Sequence, residues 1–187
     1  MTKTKTNILV VFANPRGSSP LRLDSEDHAI HEAIRRSKYR DSIRLTPCHA
    51  ATVHDLRRAL LDDDFRIVHI SGHGTGRGLI LEDGSGRMYV VPQQALADLF
   101  QAYSLPAGPL ECVILNSCYS FSQGKLVSLN VPFTIVAEGP IGDNASIEFS
   151  RGFYDAIGAG LSRIETAGVV VGAEGGEAAD LRHRLPQ

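Results

Sequence analysis

Val68-His69-Ile70-Ser71-Gly72-His73-Gly74 and Val113-Ile114-Leu115-Asn116-Ser117-Cys118-Tyr119-Ser120 have the same form. Each is an apolar run of strand character that closes on a reactive side chain, His73 in one and Cys118 in the other. Small residues flank both. In an open parallel sheet, the carboxyl ends of the strands are where ligands and chemistry collect. A histidine and a cysteine delivered there by neighbouring strands are placed to act together.

The rest of the chain supplies the sheet these stretches need. Ile8-Leu9-Val10-Val11-Phe12-Ala13 is continuously apolar, as expected of a strand covered on both faces. Asn14-Pro15-Arg16-Gly17-Ser18-Ser19-Pro20 has loop composition. Asp24 is expected to cap a helix whose apolar face carries Ala29, Ile30, Ala33 and Ile34. Ile43 and Leu45 mark a second strand, and Thr52 caps a helix bearing Val53, Leu56, Ala59, Leu60 and Leu61. Leu79-Ile80-Leu81 and Met88-Tyr89-Val90-Val91 flank Asp83-Gly84-Ser85-Gly86, a hairpin signature. Pro92 is expected to open a helix through Leu96, Leu99 and Phe100. A fourth strand spans 112–115 and a fifth 133–137, followed by a helix over 145–157 that Gly158 and Gly160 end. Val169-Val170-Val171 suits strand, while its surroundings favour helix. This alternation predicts one domain over residues 1–187: a three-layer α/β/α sandwich with a mainly parallel central sheet and a small β-hairpin insertion.

At 187 residues the chain is long enough to bury about 70% of its unfolded surface without disulfide or metal support. A net charge of -2, with basic residues scattered, argues against nucleic-acid binding, which needs a clustered positive surface. The densest cluster, Arg35-Arg36-Ser37-Lys38-Tyr39-Arg40, reads as the exposed end of a helix. Three cysteines suit a reducing compartment. The polar N-terminus has no signal-peptide character, and no apolar run nears the roughly 20 residues that cross a bilayer. A cytoplasmic protein without membrane attachment is expected.

A thiol attacks well only as a thiolate, and an adjacent imidazole that takes its proton supplies one. His73 and Cys118 on adjacent strand ends are therefore the expected base and nucleophile of a cysteine peptidase. The amides of Gly74 and Cys118 are the expected oxyanion donors. Singly, each residue fits a plainer role, Cys118 as a buried thiol and His73 as a satisfied histidine. Cys112 should face the core, and Cys48-His49 are sequence neighbours whose side chains diverge in extended chain. Gly72-x-Gly74-x-Gly76-x-Gly78 lacks the glycine spacing of a dinucleotide fingerprint, and there is no Walker-type Gly-Lys-Ser/Thr. His69 and His73 without a third ligand make a poor metal site, so His69 is expected in the core. Asp62-Asp63-Asp64 reads as a solvated helix end. Neither a cofactor nor a metal is expected.

Taken in order, these motifs resemble the CHAT domain, a branch of the caspase-like clan that also holds separases, metacaspases and legumain. Ile8 to Pro15 is similar to the family's opening strand and loop, and Leu21-Arg22-Leu23-Asp24-Ser25-Glu26 to the opening of its first helix. Val68 to Gly74 resembles its histidine motif and Leu115 to Ser120 its cysteine motif. Pro132-Phe133, Gly142-Asp143 and Phe149-Ser150-Arg151-Gly152-Phe153-Tyr154 resemble its closing third. The resemblance implies a caspase-like fold and peptide-bond hydrolysis by a Cys118–His73 dyad on protein or peptide substrates. It also implies that the residue two before the nucleophile, here Asn116, lines the primary substrate pocket. Asn116 is neutral, so a neutral or apolar preference is as open as a basic one, and a basic substrate side chain would need a carboxylate from elsewhere. Glu138 and Asp143 are the candidates, although Asp143 also suits the cap of the following helix. Prokaryotic members are often defence or cell-death effectors held off until a partner or small signal molecule releases them. The competing reading is a catalytically silent caspase-like module that binds a partner protein or a small nucleotide signal.

Overall fold

The computed structural model describes residues 5–161. The valine run at 169–171 lies outside the described residues. Five parallel strands form the central sheet: β1 (Thr6–Ala13), β2 (Ile43–Cys48), β3 (Ile67–Gly72), β7 (Cys112–Asn116) and β8 (Phe133–Val136). They lie in the order β2-β1-β3-β7-β8, with every neighbouring pair parallel. The chain leaves β1 for one edge of the sheet and returns to its other side as β3. The crevice between β1 and β3 is thus a topological switch point, where open α/β sheets bind ligands.

Alternate residues of the strands feed two cores. Leu9, Val11, Val68, Ile70, Val113 and Leu115 pack with Leu56 and Leu60 of α2 (Val53–Asp62), Leu96 and Phe100 of α3 (Gln93–Gln101), and Val127 of α4 (Phe121–Val127). On the opposite face Ile8, Val10, Phe12, Ile67 and Ile114 pack with Ile30 and Ile34 of α1 (Leu23–Arg36). Phe153, Tyr154 and Ile157 of α5 (Asp143–Ala159) complete that layer. Each fully buried aliphatic side chain contributes about 1.5–3 kcal/mol. The expected three-layer sandwich is the observed one.

The expected hairpin is present as β5 (Gly78–Glu82) and β6 (Met88–Pro92), and the two residues of β4 (Gly74–Thr75) widen it into a three-stranded antiparallel sheet. Thr52 caps α2 in a full capping box: its hydroxyl accepts the Asp55 amide at 3.1 Å, and the Asp55 carboxylate accepts the Thr52 amide at 3.0 Å. Three residues expected to start or end helices play other parts. Asp24 does not cap α1, which starts one residue earlier at Leu23; the preceding Arg22 amide is instead met by the Asp143 carboxylate at 2.9 Å. A carboxylate from a neighbouring helix thus serves where a local cap was expected. Pro92 is the residue before α3, ending β6 rather than lying inside the helix. Gly158 lies within α5, and Gly160, at φ 87°, ends it in the left-handed conformation that glycine adopts at little cost. No helix among the described residues is long and apolar enough to cross a membrane.

Candidate active site

β3 and β7 are adjacent, and Ser71 faces Asn116 across the ladder. His73 and Cys118 each stand two residues beyond that pair, so equal short extensions carry both off the sheet on the same side. The turn into β4 closes the gap. A Cβ on Gly74 would collide with the Cys118 carbonyl oxygen and lie 2.9 Å from Ser117 Oγ. Only glycine allows the histidine motif to rest directly on the cysteine motif.

His73 is half-buried, and its Nε2 lies 2.9 Å from the Ser19 carbonyl oxygen in the loop after β1. A carbonyl only accepts, so Nε2 carries a proton, and of the two neutral tautomers this contact selects the one with the lone pair on Nδ1. That is the tautomer of a base. Cys118 is half-buried as well; its sulfur accepts the Ile141 amide at 3.3 Å and lies 3.7 Å from the Ile141 carbonyl oxygen. Imidazole and thiol are not hydrogen-bonded to each other. Catalytic pairs commonly tighten only in the substrate complex. The other two thiols are held towards the protonated form. Burial pushes Cys112 up to about 12, and burial, then the nearby Asp55 charge, raises Cys48.

The backbone around the thiol is unusual. Among the described residues the Cys118 amide has no hydrogen-bond partner, and the buried Ser117 hydroxyl beside Gly74 has none either. Both Gly74 and Cys118, the expected oxyanion donors, are therefore at the junction of the two motifs. Tyr119 follows with φ 55°, a left-handed conformation that a bulky side chain rarely adopts, and its ring is half exposed. Its amide reaches the Gly139 carbonyl at 3.1 Å, tying the strained turn to the loop after β8. Tyr119→Gly relieves the strain with little loss of packing. We expect it to raise stability by about 0.5–1 kcal/mol, read by urea unfolding. Unchanged or lowered stability would show that the turn is not strained.

The expected substrate-side residues separate. Asn116 is nearly buried, and its amide nitrogen donates to Glu26 Oε1 at 2.7 Å and contacts Ser150 Oγ at 3.3 Å. Asp143 is the first residue of α5; Gly142 holds the cap position and Asp143 does not cap its own helix, its carboxylate being turned to Arg22. Glu138 is exposed in the loop that also carries Ile141. The structure brings Asn116 and Asp143 into the surroundings of Glu26 and leaves Glu138 on the surface.

Glu26 was not among the residues singled out from sequence. It is buried under the ends of β3 and β7, and its Oε1 accepts from Ser71, Asn116 and Ser150 at 2.7, 2.7 and 2.6 Å. The signal was available. Glu26 precedes Ala29 and Ile30 by three and four positions, so it falls on the apolar face of α1. Ser150 lies likewise in phase with Ile147, Phe153 and Tyr154. His69, as expected, is in the core, where burial pulls it down to about 3.

The model of the CHAT domain family matches residues 2–166. Comparison with curated proteins finds no match. The family match spans both reactive motifs and all five strands of the central sheet, in the order and layering expected of a caspase-like fold. The chain therefore belongs to the CHAT domain family of caspase-like, peptidase-type modules.

Proposed function

We propose that the protein is a cysteine endopeptidase, a single domain that hydrolyses peptide bonds in protein substrates. His73 is the general base and Cys118 the nucleophile. The observation that carries this reading is the seating of Gly74 against the Cys118 carbonyl, which joins the two motifs at adjacent strand ends. His73 Nδ1 takes the thiol proton, and the sulfur attacks the scissile carbonyl carbon. The amides of Gly74 and Cys118 hold the resulting oxyanion. The C–N bond then breaks as the imidazolium returns its proton to the leaving amine. Water, deprotonated by His73, attacks the thioester; the sulfur leaves, recovers the proton, and the acid product departs. Of the three residues expected on the substrate side, Glu138 is the accessible carboxylate that serves it, because Asn116 is engaged by Glu26 and Asp143 by Arg22.

We also place the protein in the cytoplasm as a defence or cell-death effector, held off until a partner or small-molecule signal releases it. Support comes from the reducing-compartment cysteine usage and from the damage an uncontrolled protease would cause. Incubating the purified protein with a denatured proteome and sequencing new N-termini tests activity and preference together. New termini that disappear in Cys118→Ala are expected, more abundant once the activating factor is added. Full-speed casein degradation by the protein alone would contradict external control. A failure to cut in every condition, with unreactive Cys118, would favour the silent binding module.

A further inference from the structure

One buried carboxylate oxygen links the positions that precede both reactive residues. Ser71 is two residues before His73, Asn116 is two residues before Cys118, and the two face each other across the ladder. Each bonds to Glu26 Oε1 at 2.7 Å. Ser150 of α5 adds a third bond at 2.6 Å. The network runs on behind them. Ser71 has one proton and gives it to Glu26, so the 3.1 Å contact between Ser71 Oγ and His69 Nε2 requires Nε2–H to donate. His69 Nδ1 is then an acceptor, met by the Tyr154 hydroxyl at 3.0 Å. Every bond in the chain Tyr154, His69, Ser71 points towards Glu26. The carboxylate ends a directed network that reaches β3, β7 and α5 from α1.

From this geometry we infer that Glu26 is a positioning residue for the dyad: it fixes the ends of β3 and β7 relative to each other, and with them His73 and Cys118. The inference rests on the peptidase reading above and deepens it. A buried carboxylate is a costly way to secure a fold. Burial raises the Glu26 carboxyl above its ordinary range, opposed by its donors from Ser150, Ser71 and Asn116 and reinforced by the Asp143 charge. The titratable groups facing it are His69 from β3 and Asp143 and Tyr154 from α5. A group whose pKa is raised on folding stabilises fully only below its unfolded value. That contribution is lost as pH climbs through the folded value. In its ionised form Glu26 therefore works against stability, so its presence there needs a reason other than stability. Charge-assisted hydrogen bonds, about twice as strong as neutral ones, supply that reason by holding two strand ends in one geometry.

The test separates positioning from folding. Glu26→Gln keeps shape and an acceptor oxygen but loses the charge; Glu26→Ala loses both. In the wild type and each variant, unfolding is followed from pH 4.5 to 8. The rate of Cys118 alkylation by iodoacetamide, and kcat and KM on a cleaved peptide, are measured alongside. Glu26→Gln is expected to be at least as stable as the wild type at neutral pH, with any advantage shrinking towards pH 4.5. Its Cys118 alkylation rate and kcat should fall on the order of tenfold with KM little changed. Glu26→Ala should lose on the order of 100-fold, the effect of displacing a reacting group by about 1 Å. Should Glu26→Gln match the wild type in alkylation and kcat, or lose stability and activity in parallel, the positioning role is overturned. If wild-type Cys118 is itself no more reactive than the other cysteines, the peptidase reading fails first, and the two failures are told apart.

Discussion

Cys118→Ala is expected to abolish peptide-bond hydrolysis, and His73→Ala to lower kcat/KM by about 10²–10⁴, the usual worth of a positioned general base. The two losses should not multiply. The proposed base and nucleophile would act as one unit, so the double variant should match Cys118→Ala alone. Neither substitution should unfold the protein, because both side chains are only half-buried and stand beyond the last paired residues of their strands. The check is kcat/KM of all three variants on one cleaved peptide, with thermal unfolding alongside. Residual wild-type turnover in Cys118→Ala would remove that residue from the nucleophile's place.

The second large effect is expected at Gly74. A side chain there meets the carbonyl of Cys118 and the Ser117 hydroxyl, both on the neighbouring motif and neither the far end of a flexible chain. Gly74→Val must therefore push the two strand ends apart. We expect kcat/KM to fall by about 100-fold or more. Stability should fall by about 1–3 kcal/mol, as for other overpacked sites. Gly76→Ala is the matched control: nothing lies within 4 Å of its added methyl, and activity should persist. Equal tolerance at both glycines would mean that the contact between the motifs does not hold the site.

The layers were legible because burial dictates periodicity. An apolar run such as Ile8-Leu9-Val10-Val11-Phe12-Ala13 can be satisfied only where helices cover both faces of a sheet, and that is where β1 lies. Thr52 could be assigned as a cap because its partner, Asp55, is three residues away. Asp24 failed for the complementary reason. The group that serves the start of α1 is Asp143, far away in sequence, and no local pattern encodes it. The placement of His73 and Cys118 beyond facing strand ends was visible in the two motifs. Its surroundings were not. Ser19, which fixes the His73 tautomer through a backbone carbonyl, contributes no side-chain signal at all. Glu26 did leave a trace, a carboxylate in phase with Ala29 and Ile30, and such an interruption of an apolar stripe merits the same weight as a motif.

The most direct test of the dyad is the rate at which iodoacetamide modifies each cysteine near neutral pH, followed by peptide mass mapping. Cys118 is expected to react well ahead of Cys48 and the buried Cys112, and His73→Ala to remove the advantage. Slow labelling of Cys118 at the pace of Cys48, unaffected by His73→Ala, would contradict it.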